Sequence, residues 1–444
     1  MSEREPVPTR PGPTEGWILA GRLDGVPAAP DLLEDVAGLR HALRLACDMA
    51  QGGIERIFVV WAGEAAPDLS AVAADPRLAG RVALAVVPVP PGGDDSAPVL
   101  VVRGDRVFHR ELPKLAVRAW RESAAGLVRV AGDEYDGVVV TDRAAARRLA
   151  AAAVERGGFG GVLAGLEARP GFVPAEAPYL GFCVPAPDRR ALRRAEWRLL
   201  WSLRKTADGI AARLVNRRIS LPVTRVLMRT RVHPNVVTAG AFLCAVAGGI
   251  LIALGGWANG VWGMVCVELG SIADGIDGEL SRLRYQGTRV GQWMDTVSDD
   301  ASNVAYVSGI TYALWAAGAT WAGWLGMVSL AAFVLNQATQ YVLIATVYKS
   351  GDLAAIPWMF QSSAFLSSRP RGFLPRVKAT IPKLLKRDFA VTAFVGFALL
   401  GRLDVVLLVF AAGALSFHVT LWIQVLRNRG AIAAARRDRL ARVP

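Results

Sequence analysis

Cysteine and histidine are scarce in this 444-residue chain, four of each, and the scarcity excludes two ways of building a site. Cys47, Cys183, Cys244 and Cys266 form no CxxC pair and two of them lie in hydrophobic runs, so neither a disulfide framework nor a zinc centre is indicated. They read as small apolar residues. His41, His109, His233 and His418 are isolated along the chain and read as surface or packing residues rather than catalytic ones. The opening stretch, MSEREPVPTRPGPTEG, lacks the basic flank and apolar core of a secretory signal. Residues 1–15 are expected to be a disordered, Pro-rich tail.

Long apolar runs are missing from the first half and abundant in the second. Hydrophobic residues make up 53% of the chain, which is high for a wholly soluble protein. From Val236 to about Arg427 they gather into runs of roughly 20 residues, the length that crosses hydrocarbon. Six membrane helices can be drawn, at 236–255, 259–283, 289–316, 320–348, 388–401 and 403–426.

The net charge of +13 is concentrated beside these runs, as in DRRALRRAEWRLLWSLRK, SRPRGFLPRVKATIPKLLKRD and LRNRGAIAAARRDRLAR. Such placement follows the positive-inside rule and attraction to anionic headgroups, and no nucleic-acid partner is expected. Weakly charged turns such as GGWANG alternate with basic connections, which predicts an integral protein of the inner or plasma membrane with its N-terminal domain and C-terminus cytoplasmic. Residues 188–233 form a basic amphipathic juxtamembrane linker, 234–428 the membrane domain and 429–444 a basic tail.

Residues 16–187 alternate short β-branched runs, among them GWILAG, IERIFVVWAG, APVLVVRGDRVF and YDGVVVTD, with helical patterns such as DLLEDVAGLRHALRLACDMAQGG. Alternation of this kind predicts an α/β domain with a mostly parallel sheet.

Within the membrane half, the stretch DGIDGELSRLRYQGTRVGQWMDTVSDD places carboxylates where lipid should not tolerate them. Asp274 and Asp277 fall toward the end of the second predicted helix, and Asp295 and Asp299 toward the start of the third. Separations of three and four residues put each pair on one helix face, with Gly291 continuing the second face. Four clustered carboxylates would repel one another in a low dielectric unless a cation joined them. Oxygen-only ligands with no His or Cys nearby favour Mg²⁺ or Mn²⁺, and four carboxylates could hold two such ions with positions left for phosphate oxygens. Gly278 and Gly291 remove side chains beside that site. Arg282, one turn past Gly278, is suited to clamp a diphosphate. Asp300 points off the shared face and reads as a helix-end polar residue. A cation pathway or transporter built on the same carboxylates is the alternative from another class.

The spacing Asp274, Asp277, Gly278, Arg282, Gly291, Asp295, Asp299 resembles the CDP-alcohol phosphotransferase family, whose pattern is D-x-x-D-G-x-x-A-R, eight residues, then G-x-x-x-D-x-x-x-D. Ser281 stands where the family usually has Ala. The resemblance covers about residues 205–426, and TRVHPNVVT before the first span is similar to the family's Pro-Asn and Thr segment. It implies that Asp274, Asp277 and Asp295 bind metal, that Asp299 is both a ligand and the base for the acceptor hydroxyl, and that Gly278, Arg282 and Thr288 contact the CDP moiety, with Asn235 and Thr238 beside them. The implied reaction passes a substituted phosphate from a CDP-linked donor, CDP-diacylglycerol or similar, to an alcohol acceptor with release of CMP in phospholipid synthesis. CDP-inositol with inositol phosphate is the alternative pair, and a homodimer embedded in membrane lipid is implied as well.

The first half resembles the nucleotidyltransferase fold of sugar-phosphate and inositol-phosphate cytidylyltransferases, through GLRHALRLACDMAQGGIERIFVVWAG and VLVVRGDRVFHRELPKLA. There Asp105 would correspond to the family's metal-binding Asp. The family's Gly-rich triphosphate loop is absent from GWILAGRLDGVPAAPDLL, so a degenerate domain with a structural or regulatory role is expected.

Overall fold

The computed structural model describes residues 10–27, 29–131, 135–204, 209, 212–348, 387–427 and 429. The chain divides into two units, Met1–Thr206 with Met228–Thr230 and Leu283–Tyr285, and Ala207–Leu227 with Arg231–Arg282 and Gln286–Pro444.

In the first unit the β-branched runs become one sheet. Its strands are β1 (Glu15–Leu23), β2 (Val26–Pro27), β3 (Arg56–Ala62), β4 (Ala83–Val87), β5 (Pro98–Arg103), β6 (Leu127–Val130), β7 (Val138–Asp142) and β8 (Phe172–Ala175), in the order β8-β6-β7-β5-β1-β3-β4 with β2 against β1. The helices are α1 (His41–Gln51), α2 (Leu112–Arg121), α3 (Arg143–Ala152), α4 (Gly158–Glu167) and α5 (Arg189–Ser202). Alternation along β5 sends Leu100 and Val102 into one core with Leu45, Met49 and Trp120, and Val99 and Val101 into a second core with Trp17, Leu149 and Phe159. A sheet covered on both faces needs such strands.

The sheet is mostly parallel, as expected, with one strand of the main path reversed. β7 runs antiparallel to both β5 and β6. The connection of residues 131–137 is too short for the crossover of a dozen or more residues that a parallel return requires. The helix expected across DLLEDVAGLRHALRLACDMAQGG is likewise shorter. Asp35–Val36 and Leu39–Arg40 pair as a small hairpin through Ala37 and Gly38, both at positive φ, and the helix begins only at His41. Nor is the tail disordered as far as residue 15. Glu15 starts β1, and the Arg10 guanidinium lies 3.5 Å from the centre of the Trp120 ring and donates to the carbonyls of Trp120 and Ala125. Tyr285 also belongs to this unit, packing against its core and donating its hydroxyl to buried Asp48 at 2.5 Å.

The second unit is helical. α6 (Arg217–Leu227) follows a π-helical turn at Ala212–Asn216, and then come α7 (Pro234–Ala253), α8 (Trp257–Leu283), α9 (Arg289–Ala316), α10 (Thr320–Leu343), α11 (Arg387–Leu399) and α12 (Leu403–Arg427). Pro234 occupies the first turn of α7, where its missing N–H costs nothing, and His233 caps the helix by accepting from the Asn235 amide at 3.2 Å.

Three helical stretches, Pro234–Ala253, Thr320–Thr346 and Leu403–Arg427, are long and apolar enough to cross a membrane. The fifth segment, expected at 388–401, carries only a short apolar helix, Phe389–Leu399. α8 and α9, of 27 and 28 residues, are not apolar enough to stand among those three stretches. At 1.5 Å per residue each is about 40 Å long, beyond the ~30 Å of hydrocarbon. Asp274, Asp277 and Glu279 lie in the half of α8, and Asp295, Asp299 and Asp300 in the half of α9, nearest the connection between the two helices, while Glu268 is buried in the middle of α8. The basic stretch at 368–386 and nearly all of the C-terminal tail lie outside the described residues.

α7, α8 and α9 pack backbone to backbone. A Cβ on Gly249 would stand 2.6 Å from the Ala305 carbonyl, and one on Gly309 would strike the carbonyl of Gly249. Small residues at such crossings let membrane helices approach closely enough for dispersion to hold them. This closeness is what allows side chains on all three helices to meet at one end.

Candidate functional site

Asp274 and Asp277 come from the last turns of α8 and Asp295 from the second turn of α9. Each offers a carboxylate oxygen within 4.8 Å of the other two, with Asp277 buried, Asp274 half-buried and Asp295 exposed. Helical periodicity accounts for the first pair, since residues three apart share a face. The antiparallel return accounts for the third. Among the described residues this is the one group of three or more potential ligands within such a distance.

The donor set fits a hard divalent cation, being composed of oxygens alone with open positions on its exposed side. The Thr238 hydroxyl, from the second turn of α7, donates to Asp277. That bond turns one carboxylate oxygen toward α7 and fixes the side chain's orientation. Thr238, expected beside the nucleotide, is thus joined to one of the three clustered carboxylates.

Asp299 does not join the trio. It lies four residues further along α9, one turn or a rise of about 6 Å, with its side chain half-buried. Asp300, set aside in the sequence as a helix-end residue, accepts the hydroxyl of Tyr341 from α10, and the Tyr341 ring meets Trp293 edge-on at 5.6 Å between centres. This contact ties α10 to the carboxylate end of α9.

Gly278, Arg282, Gly291, Thr288 and Asn235 fall into two groups. The Arg282 guanidinium folds back along α8, so a Cβ on Gly278 would lie 3.1 Å from its Nη1. Gly291 sits beside Thr288 and Asn235, whose Oγ1 and Oδ1 would lie 3.2 and 3.4 Å from a Cβ there. Thr288 is also the N-cap of α9, accepting from the Gly291 amide at 2.9 Å. The cap and the glycine explain why the helix starts where it does.

One residue of the motif was missed in the sequence. Glu279, fully buried, accepts from Arg217, Ser220 and Thr224 of α6. Its signal was a fifth acidic residue inside the motif spacing.

Asp105 of the first unit is differently placed. Both of its carboxylate oxygens accept from Arg103, at 2.9 and 2.6 Å, and Arg103 also donates to Asp24 at 2.6 Å. Where a Gly-rich loop would follow the first strand, β1 instead turns back through Asp24 and Gly25 into β2.

Comparison with known proteins bears on part of the helical unit. Residues 231–368 match the family described as CDP-alcohol phosphatidyltransferase. These residues are a CDP-alcohol phosphatidyltransferase domain. A stretch of 112 residues is 33% identical to the "Bifunctional IPC transferase and DIPP synthase" of Thermococcus kodakarensis, covering 25% of each chain. The protein of the same name from Aquifex aeolicus is 28% identical over 109 residues, or 24% of each chain. The "Phosphatidylinositol phosphate synthase" of Mycolicibacterium smegmatis is 31% identical over 127 residues, 28% of this chain and 54% of that one. The chain thus spans between a quarter and about half the length of these relatives, and the CDP-alcohol phosphatidyltransferase match contains both α8 and α9.

Proposed function

We propose that the chain is a membrane CDP-alcohol phosphotransferase that passes a substituted phosphate from a lipid CDP donor, such as CDP-diacylglycerol, to an alcohol and releases CMP. The observation that carries this assignment is the meeting of Asp274, Asp277 and Asp295 oxygens within 4.8 Å at the family's motif spacing. Mg²⁺ or Mn²⁺, as one ion or two, would neutralise the diphosphate and the charge that develops on it. Arg282 grips the diphosphate with its planar fork, and Gly278 and Gly291 leave room for the nucleotide between α8 and α9. Asn235 and Thr288 line the nucleotide's other side. Asp299, set one turn away from the trio, takes the proton from the acceptor hydroxyl as its oxygen attacks the phosphorus distal to cytidine. CMP leaves, and no covalent enzyme intermediate is needed.

A second assignment, the same chemistry on CDP-inositol and inositol phosphate, is supported by the relatives named as IPC transferase and DIPP synthase. In either case six spans and a homodimer belong to the proposal, as do a cytoplasmic first unit and C-terminus. The first unit is proposed to be nucleotidyltransferase-like in fold but inactive, because Arg103 occupies both oxygens of Asp105 and a hairpin stands in place of the phosphate loop.

Purified full-length protein supplied with Mg²⁺, CDP-diacylglycerol and a panel of alcohols should release CMP and yield a product whose mass identifies the acceptor. CMP release from CDP-inositol alone would favour the second assignment. Ion flux without CMP formation from any cytidine donor would favour the channel and refute both.

A further inference from the structure

Glu279 lies between the residues assigned to metal and diphosphate but faces away from them. On α8, Asp274, Gly278, Ser281 and Arg282 share one side, with Asp277 at its edge, while Gly275 and Glu279 share the next. Glu279 is fully buried, a costly place for a carboxylate unless its oxygens are matched. They are matched entirely from α6. Oε1 accepts from the Arg217 guanidinium and from the Ser220 hydroxyl at 2.7 Å, and Oε2 accepts from Thr224 at 2.5 Å.

Arg217, Ser220 and Thr224 recur at three and four residues, so they form one stripe along α6. Ser220 and Thr224 are buried, whereas Ile219, Val223 and Val226 on the other side are exposed. The stripe continues onto the turn of α8 that bears Asp274. Arg217 Nη1 lies 3.7 Å from where a Cβ on Gly275 would stand, and the Ser220 Cβ lies 4.0 Å away.

From this geometry we propose that Glu279 is a positioning residue whose clamp to Arg217, Ser220 and Thr224 fixes the rotation of α8 and so the aim of Asp274 and Asp277. One residue of rotation is about 100°, enough to turn both carboxylates off Asp295. Each donor has one place to reach Glu279, so the helix is held in a single setting. Thr238 holds the other side of α8 through Asp277. The inference rests on the proposed metal site and deepens it.

The test uses the full chain in detergent and reads Mn²⁺ affinity by electron paramagnetic resonance without substrate, beside turnover. Outer contacts that orient metal ligands typically account for 10- to 100-fold in affinity or activity. The double variant Ser220→Ala, Thr224→Val should therefore bind Mn²⁺ about 10- to 100-fold more weakly while eluting as the same monodisperse species. Restoring one hydroxyl with Ser220→Ala, Thr224→Ser should recover most of the loss. Glu279→Gln should show the same weakening, and if it does not fold, the double variant decides. Wild-type Mn²⁺ affinity in the folded double variant would overturn the clamp. Asp274→Asn separates the two levels. If it loses Mn²⁺ while the clamp variants keep it, the clamp alone fails, and if it binds Mn²⁺ normally, the metal site and the clamp both fail.

Discussion

Asp277 and Asp299 carry the same side chain on neighbouring helices, and their surroundings match the separate tasks proposed for them. Asp277 is buried, holds the hydroxyl of Thr238 and meets two other carboxylates, which suits a ligand. Asp299 stays half-buried and outside that group, which suits a base that must reach a changing set of acceptors. Asp299→Asn should accordingly lower kcat by about 10²- to 10⁴-fold, the usual worth of a general base, and leave Mn²⁺ affinity close to wild type. Asp277→Asn should lose both. Equilibrium Mn²⁺ binding measured beside steady-state CMP release checks the pair. Equal losses of affinity in the two variants would place Asp299 among the ligands instead. At Gly278, alanine would crowd Arg282 Nη1 at 3.1 Å, so Gly278→Ala should raise KM for the CDP donor more than it lowers kcat.

Among the elements, α8 and α9 are where the sequence was most legible, because motif and helix signals coincide. The expected segment 289–316 matches α9 end for end, with Thr288 as its cap. The end of α8 at Leu283 was equally plain. What the sequence hid was long-range. Arg217, Ser220 and Thr224 meet Glu279 across 55 to 62 residues of chain, and no local periodicity encodes such a pairing. The antiparallel course of β7 and the hairpin ahead of α1 were hidden for a related reason, since strand direction and a two-residue turn depend on loop length and backbone conformation more than on hydrophobic pattern. The crossing of α7 and α9 makes its own prediction. Gly309→Val would push a side chain into the Gly249 carbonyl, an overpacking that costs about 1–3 kcal/mol or more. The thermal midpoint of the detergent-solubilised protein should fall, and activity with it, because α9 carries Asp295. An unchanged midpoint would show that the helices do not cross there.

For the whole molecule, the two units respond to different conditions. The first contains His41, fully buried with Nε2 3.0 Å from the Gly104 carbonyl, whose pKa burial pulls down to about 4, assisted by the nearby Arg44 charge. Its ordinary value is 6.5, so between pH 6.5 and 4 the unfolded chain takes up a proton that the folded chain refuses. Stability is lost as pH falls through this window, by on the order of 3 kcal/mol for a fully buried group. Buried Asp48, whose pKa burial pushes up to about 7, opposes this by gaining stability over the same range. The His41 contribution is therefore read as the difference between wild type and His41→Gln in the urea midpoint of this unit from pH 6.5 to 4.5, followed by pulse-labelling mass spectrometry of peptide 98–103. The variant's midpoint should fall less over that range, although His109, pulled down to about 4 by burial, will leave part of the loss. An unaltered slope in His41→Gln would mean that His41 is accessible to protons in the folded state.

The function proposed for the helical unit depends on three carboxylates from two helices sharing a cation. Crystals of the full chain grown with Mn²⁺ and measured at the manganese absorption edge test this most directly. An anomalous peak within coordination distance of Asp274, Asp277 and Asp295 together is the predicted result. A peak elsewhere in the molecule, or none at saturating Mn²⁺, would contradict it.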